Sequence, residues 1–520
     1  MRITSLLFLV SMLYSCSTQQ KAASSSESAL KLQLFYPVNP LLTFSNQNPV
    51  LQLQVSVPAG HQAIKLTGLD GKFNNSGASV RSLEVYYSGN DRVYRKDSLL
   101  ATFQPEEEGI QIPVAITLNP GIHYFWINAL LNDDADMDKR ISMTVSQVHT
   151  EAIPNLTPEN IRSTDQYTGI ALRKAWDDEV HTYRIPGIIT TDNGTLISVY
   201  DIRYKHSGDL PANIDVGMSR STDGGRTWEP MKIIMDMGPP HENNGIGDPS
   251  VLFDPVTKKV WVAALWSYGN NSIRDSRPGL SPDSSGQFVL VSSDDYGVTW
   301  SDPINITAQV KNPKWHLYFN GPGNGIVMQN GTLVFPSQYW DESKKPGIPH
   351  SSIIYSEDNG KTWKSGIGAK SNTTEAQVVE TTPGTLMLNM RDNRGRYRSV
   401  ATTSDMGKTW TEHHTSTTAL QDPVCMASFI RANVQTAEGL KDVLFFSNVN
   451  SQTARKDMTI KASMDLGESW PDKHGLLLDE RGTYGYSALT RIDAETIGIL
   501  YEGIRDLYFV RIPVKDILNQ

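Results

Sequence analysis

Ser221-Thr222-Asp223-Gly224-Gly225-Arg226-Thr227-Trp228 carries the pattern Ser-x-Asp-x-Gly-x-Thr-Trp, and the pattern returns four times downstream. The copies run from Ser293 to Trp300, Ser356 to Trp363, Thr403 to Trp410 and Ser463 to Trp470, the last with Ser469 in place of Thr. Each residue type has a reason to be there. Asp and Ser or Thr hydrogen-bond nearby backbone groups, Gly supplies a positive φ, and Trp docks the turn on a hydrophobic core. The motif therefore reads as a staple at the tip of a hairpin, facing away from any active site.

Successive copies start at 221, 293, 356, 403 and 463, so the intervals are 72, 63, 47 and 60 residues. These lie near the period of four-stranded propeller blades. Alternating apolar runs between the copies, such as Thr195–Tyr200, Val260–Leu265 and Val443–Phe446, read as short strands. At roughly 55–60 residues per blade, 160–520 holds six blades. The expected fold class is all-β: a six-bladed β-propeller preceded by a smaller β-sandwich.

That sandwich is expected over 30–150, where the repeat is absent and alternation takes over in Leu51, Leu53, Val55 and Val57, in Val80–Tyr87 and in Ile122–Ile127. Breakers Pro58-Ala59-Gly60, Asn74–Gly77 and Asn119-Pro120-Gly121 bound its strands, and the acidic run Asp133–Asp138 reads as a solvated loop. Tyr86, Tyr87 and Trp126 are candidate carbohydrate-stacking platforms, against the commoner fate of strand aromatics as core.

Ahead of the sandwich, residues 1–15 hold one basic residue, Arg2, and an apolar run Leu6–Leu13 too short to span a bilayer, which reads as a secretory signal. Leu13-Tyr14-Ser15-Cys16 resembles a bacterial lipoprotein cleavage site, which would leave Cys16 lipidated, 16–29 as a polar tether, and the protein at the periplasm or outer membrane. The one other cysteine, Cys425, then has no internal disulfide partner and reads as a small buried hydrophobe. Loss of Arg2 with the signal takes the formal charge from −9 to −10, without a basic block, which argues against nucleic-acid or polybasic membrane binding. An anionic ligand would need a local arginine cluster.

The repeats combined with Tyr183-Arg184-Ile185-Pro186 ahead of the first copy resemble the bacterial exo-sialidase (neuraminidase) family over about 170 to 510. The resemblance implies sialylated glycans as substrates and no cofactor. It implies an arginine triad of Arg184, Arg391 and Arg455 for the carboxylate on the anomeric carbon of sialic acid, a task suited to guanidinium forks. A carboxylate nucleophile would meet that carboxylate at contact with a repulsion of several kcal/mol in low dielectric, and sialidases use tyrosine instead. Tyr486 matches the nucleophile, with Tyr484 as rival. A phenol needs a base beside it, and Glu375 matches that position, with Glu380 as rival. A proton donor is also needed, and Asp209 is the candidate because its Ser-Gly-Asp-Leu-Pro loop lets a carboxylate swing over the ligand, with Asp201 and Asp215 as rivals. Arg203, paired with Asp201, and Asp248 resemble further substrate contacts, and Glu502 the carboxylate that orients the first arginine.

The implied activity is retaining exo-α-sialidase hydrolysis through a tyrosyl intermediate. A trans-sialidase, intramolecular or not, would share these residues; a sialic-acid lectin would not need Tyr486 and Glu375. No metal site is read from the histidines: His413 and His414 are adjacent, and His-Glu-x-x-His is absent.

Overall fold

The computed structural model describes residues 30–74, 79–105, 110–151, 153–162, 165–269 and 271–519. The expected signal, Cys16 and the tether lie outside the described residues. Among the described residues no helix is long and apolar enough to cross a membrane.

Among the described residues, six sheets of four or more strands follow one another from Thr182 onward, each begun by a strand buried along most of its length: Thr182–Thr190, Asn244–Asp254, Leu317–Asn320, Thr373–Thr382, Ser428–Thr436 and Ser487–Arg491. Within a sheet the chain runs up and down through antiparallel neighbours, as in Thr182–Thr190, Leu196–Arg203, Ile214–Ser221 and Lys232–Met235 of the first. Apolar side chains fill the space between consecutive sheets. Val199, Val216 and Met218 of the first meet Val251, Val262 and Val289 of the second, and Phe509 and Leu500 of the sixth meet Leu196 and Ile188 of the first. This is the propeller arrangement expected from the repeat.

There are five repeats for six sheets because the sixth is completed from elsewhere in the chain. Its outer strand is Gln166–Arg173, which pairs antiparallel with Leu507–Pro513. No hairpin joins its third and fourth strands, so there is no tip to staple. In the other five sheets the staple forms as the residues dictate. Asp358 Oδ1 accepts from Thr362 N at 2.9 Å and Ser356 Oγ at 2.8 Å, and Asp358 Oδ2 accepts from Thr362 Oγ1 at 2.6 Å. Gly360 has φ +82, and a Cβ there would lie 2.3 Å from the Trp261 ring of the preceding sheet. The residue before the glycine is left-handed too: Tyr296, Asn359, Met406 and Leu466 have φ of 58, 59, 60 and 56. Such φ values in non-glycine residues are uncommon, and the five-fold capture of the Asp carboxylate offsets their cost.

The N-terminal unit packs two sheets around one core that includes Leu51, Leu53, Val55, Val85, Phe125 and Val145. One sheet is ordered Lys31–Phe35, Pro49–Val57, Gly121–Leu131, Val80–Tyr87, Leu99–Phe103; the other is built on Ile64–Asn74 between Ile110–Leu118 and Arg140–Glu151. Of the proposed stacking aromatics, Tyr86 is core at 4% exposure. Tyr87 stacks on His123, and Trp126 meets Tyr94 edge-on beside a cavity of about 760 Å³.

The sandwich does not hang free. Gln166 and Tyr167 of the sixth propeller sheet pair with Ile141 and Arg140, so one hydrogen-bonded sheet runs from sandwich to propeller. Asp138, expected in a solvated loop, instead accepts from Arg226 Nη2 at 2.5 Å and Arg511 Nε at 2.8 Å, because the run lies against the first repeat turn.

Candidate active site

The strand Thr182–Thr190 breaks its register between Arg184 and Gly187. Ile185 there has φ +58, a strained conformation for a β-branched residue that costs on the order of 1–3 kcal/mol. Glu502 holds it. Fully buried, its Oε1 accepts from Ile185 N and from Arg184 Nε, each at 3.0 Å. Its Oε2 accepts from Tyr486 N at 2.9 Å. One carboxylate thus fixes the first arginine and the backbone of the tyrosine, which supports the orienting role inferred for it.

Arg184, Asp209, Asp248, Glu375, Arg391, Arg455 and Tyr486 line one cavity of about 630 Å³, with Leu210, Ile273, Phe319 and Trp340 as its apolar wall. These residues come from all six sheets and their loops, at the end opposite the repeat turns. At its centre the Tyr486 hydroxyl donates to Glu375 Oε1 at 2.5 Å. Arg391 Nη1 donates to Glu375 Oε2 at 2.5 Å and to the Tyr486 oxygen at 3.0 Å. The guanidinium carbons of Arg184 and Arg455 lie 5.2 and 6.0 Å from the Tyr486 ring centroid. Burial, then the Glu375 charge, pushes the Tyr486 hydroxyl well above its usual range, outweighing Arg391 and Arg184. The phenol therefore holds its proton in this arrangement.

The rivals separate cleanly. Tyr484 lies against Arg184, ring to guanidinium carbon 4.9 Å, and is not the tyrosine bonded to Glu375. Glu380 points away from the cavity and accepts from Gln329 N and Gly384 N, each at 2.8 Å. Gly485, between the tyrosines, has φ +100, and a Cβ there would stand 2.8 Å from Cys425 Sγ. Cys425 is fully buried, its thiol pushed up to about 12 by burial.

Arg455 is held unlike the other two arginines. Arg184 and Arg391 each face a carboxylate, whereas Arg455 donates to the backbone oxygens of Tyr484 at 2.8 Å and Val424 at 3.2 Å. Val424 is itself left-handed at φ +63.

Asp209 stands at the rim with its side chain 70% exposed, 2.7 Å from Arg203 Nη1 and 3.6 Å from Arg184 Nη1. Desolvation raises its pKa, but Arg203 and then Arg184 outweigh that and hold it below the usual carboxylate value. Asp201 and Arg203 do pair, at 2.8 Å, yet both are 1% exposed and neither lines the cavity. Arg203 was expected among the substrate contacts; its guanidinium is instead spent on Asp201 and Asp209, so it positions the loop acid from behind. Asp215 is also apart, bonded to the Tyr204 hydroxyl at 2.9 Å, and burial raises it to about 6. Asp248, left-handed at φ +55, is raised well above the carboxylate range by burial and then by Asp201, Asp209 and Glu375. Ile273, Phe319 and Trp340 were not singled out in the sequence; apolar residues in loops and strands carry no signal that separates a pocket wall from core.

The chain matches the BNR repeat-like domain family over residues 185–489 and the N-terminal domain of BNR-repeat neuraminidase over residues 31–152. It is 44% identical over 456 residues to a sialidase of Bacteroides fragilis, covering 86% of this chain and 80% of that one. It resembles the solved Hadza microbial sialidase Hz136 with a TM-score of 0.86 at 40% identity, over 93% of this chain and 99% of that chain. A Trypanosoma rangeli sialidase in complex with the inhibitor DANA matches at 25% identity and a TM-score of 0.53, over 64% and 55% of the two chains.

Proposed function

The chain belongs to the BNR-repeat neuraminidase (sialidase) family of glycoside hydrolases, and we propose that it releases terminal α-linked sialic acid from glycoconjugates with retention, through a covalent bond to Tyr486. The observation that carries this reading is the Tyr486–Glu375 hydrogen bond of 2.5 Å inside a ring of three arginines.

The substrate carboxylate binds Arg184, Arg391 and Arg455, and Arg455 contributes most of the unneutralised charge because, among the described residues, its guanidinium is bonded to backbone oxygens and paired with no carboxylate. As the carboxylate draws on Arg184 and Arg391, their pull on Asp209 weakens and its pKa climbs toward that of a proton donor. Asp209 gives its proton to the departing glycosidic oxygen. Glu375 accepts the phenolic proton while the Tyr486 oxygen bonds to the anomeric carbon. Water then attacks that carbon with Asp209 as base, and the C–O bond to Tyr486 breaks as its oxygen regains the proton from Glu375. Two inversions at one carbon leave the α configuration.

The test is proton NMR during digestion of α2,3- and α2,6-sialyllactose. Free sialic acid is expected first as the α anomer; β first would overturn the tyrosyl step, and no release would overturn the activity. For location, the Leu13-Tyr14-Ser15-Cys16 segment supports export and lipidation at Cys16; incorporation of a labelled fatty acid that Cys16→Ala abolishes is the expected result.

A further inference from the structure

We propose that His413, His414 and Glu468 bind a divalent transition-metal ion, zinc above all, which clasps the fourth propeller sheet to the fifth on the side bearing the repeat turns. The histidines follow Thr411–Glu412, the outer strand of the fourth sheet, and Glu468 sits inside the fifth repeat between Gly467 and Ser469. None of the three lines the cavity around Tyr486.

One ligand atom from each residue lies within 4.8 Å of the other two. His413 Nε2 stands 3.6 Å from Glu468 Oε1, and His414 Nδ1 stands 3.8 Å from Glu468 Oε2. Both separations are too long for direct hydrogen bonds. They suit a shared ion: two atoms each about 2.0–2.1 Å from a tetrahedral zinc are roughly 3.3 Å apart. The other ring nitrogens are already engaged. His413 Nδ1 is 2.8 Å from Thr415 Oγ1, and His414 Nε2 is 3.1 Å from the backbone oxygen of Glu468. A backbone oxygen only accepts, so His414 Nε2 carries the proton and its Nδ1 lone pair faces the carboxylate, whereas His413 Nδ1 also accepts from Thr415 N at 3.4 Å and its tautomer can exchange against the Thr415 hydroxyl, which donates or accepts.

Two imidazoles and one carboxylate select a borderline ion over calcium or magnesium, which prefer all-oxygen shells. Glu468 and His414 are 65% and 61% exposed in their side chains, which leaves the fourth position to water. Because the ligands belong to two sheets, the bound ion stabilises their packing and leaves turnover unaltered.

The experiment uses the tag-free full chain, stripped with a chelator and titrated with zinc chloride by calorimetry, with the melting temperature followed in parallel. One zinc per chain and a rise of roughly 2–4 °C at saturation are expected, with no response to calcium chloride. His414→Ala and Glu468→Gln, at exposed positions that fold tolerates, should each weaken zinc binding at least about tenfold and erase the thermal gain, with kcat and KM unchanged. Absence of a one-to-one zinc site, zinc affinity unchanged in both variants, or an equal response to calcium would each overturn the proposal.

Discussion

The two ends of the propeller sheets treat the same chemical group in opposite ways. At one end, the repeat carboxylates Asp358 and Asp405 are held by bonds from their own turn, Asp358 by Thr362 and Ser356 and Asp405 by Thr409 and Thr403, and each is lowered to about 2. At the other end, Glu375 reaches partners 16 and 111 residues away, and Asp248 is pushed up by burial and by three neighbouring carboxylates. A carboxylate satisfied locally can be copied along a chain without regard to what lies beside it. A carboxylate that depends on distant partners works once, in one setting. The difference teaches why one end is repetitive and the other is not: the first solves a folding problem that recurs in five of the six sheets, the second a chemical problem that occurs once.

Changes at the two ends should separate activity from stability. The largest effect is expected for Tyr486→Phe, which deletes the oxygen proposed as nucleophile: steady-state kcat/KM should fall by at least about 10³-fold while sialic-acid affinity stays within about tenfold. Near-normal turnover would remove the tyrosine from its role. Asp209→Asn should cost roughly 10²–10⁴-fold on sialyllactose but far less on an aryl sialoside, whose phenolate leaves unaided. Equal losses on both substrates, with a selective loss in Asp201→Asn or Asp215→Asn, would transfer the acid role. Arg455→Ala should weaken sialic-acid binding by about 2–5 kcal/mol in calorimetry, and an unchanged affinity would break the claim that the uncompensated arginine dominates carboxylate binding.

At the repeat end the expected currency changes. Gly360→Ala places a methyl group against Trp261 at a positive φ, so stability should drop by about 1–3 kcal/mol in denaturant titration, with kcat unaltered; a catalytic loss in the folded variant would erase the division of labour. Asp215 gives the smallest effect and a sign to check. Its pKa of about 6 in the fold lies above the ordinary value near 3.9, so the folded protein binds the extra proton between those pH values and Asp215's contribution fades as pH rises through 6. Asp215→Asn should therefore stabilise by about 1–2 kcal/mol at pH 7.5 and do nothing at pH 4, read from melting curves at both values.

What the sequence disclosed follows the same division. The repeat was legible because the hydrogen bonds that hold its carboxylate all lie within eight residues. Tyr183-Arg184-Ile185-Pro186 was legible as a motif, while its mechanics were not, since the left-handed Ile185 rests on Glu502, 317 residues away. The pairing of Arg140 and Ile141 with the propeller and the meeting of His413, His414 and Glu468 depend on side chains or strands brought together by the finished fold. Adjacent histidines gave no spacing to read; the third group came from a different sheet.

Glu502 carries a consequence for the making of the protein. Its carboxylate ties Arg184 to Tyr486, and the sheet that holds it is finished only when Leu507–Pro513 pairs with Gln166–Arg173. A ribosome therefore releases nearly the whole polypeptide before the reacting groups can come together. A product cut between residues 470 and 486 retains all five repeats yet lacks Tyr486, and one cut between 486 and 502 keeps Tyr486 without its anchor. The cavity around Tyr486 is thus assembled only after synthesis has passed Leu507–Pro513.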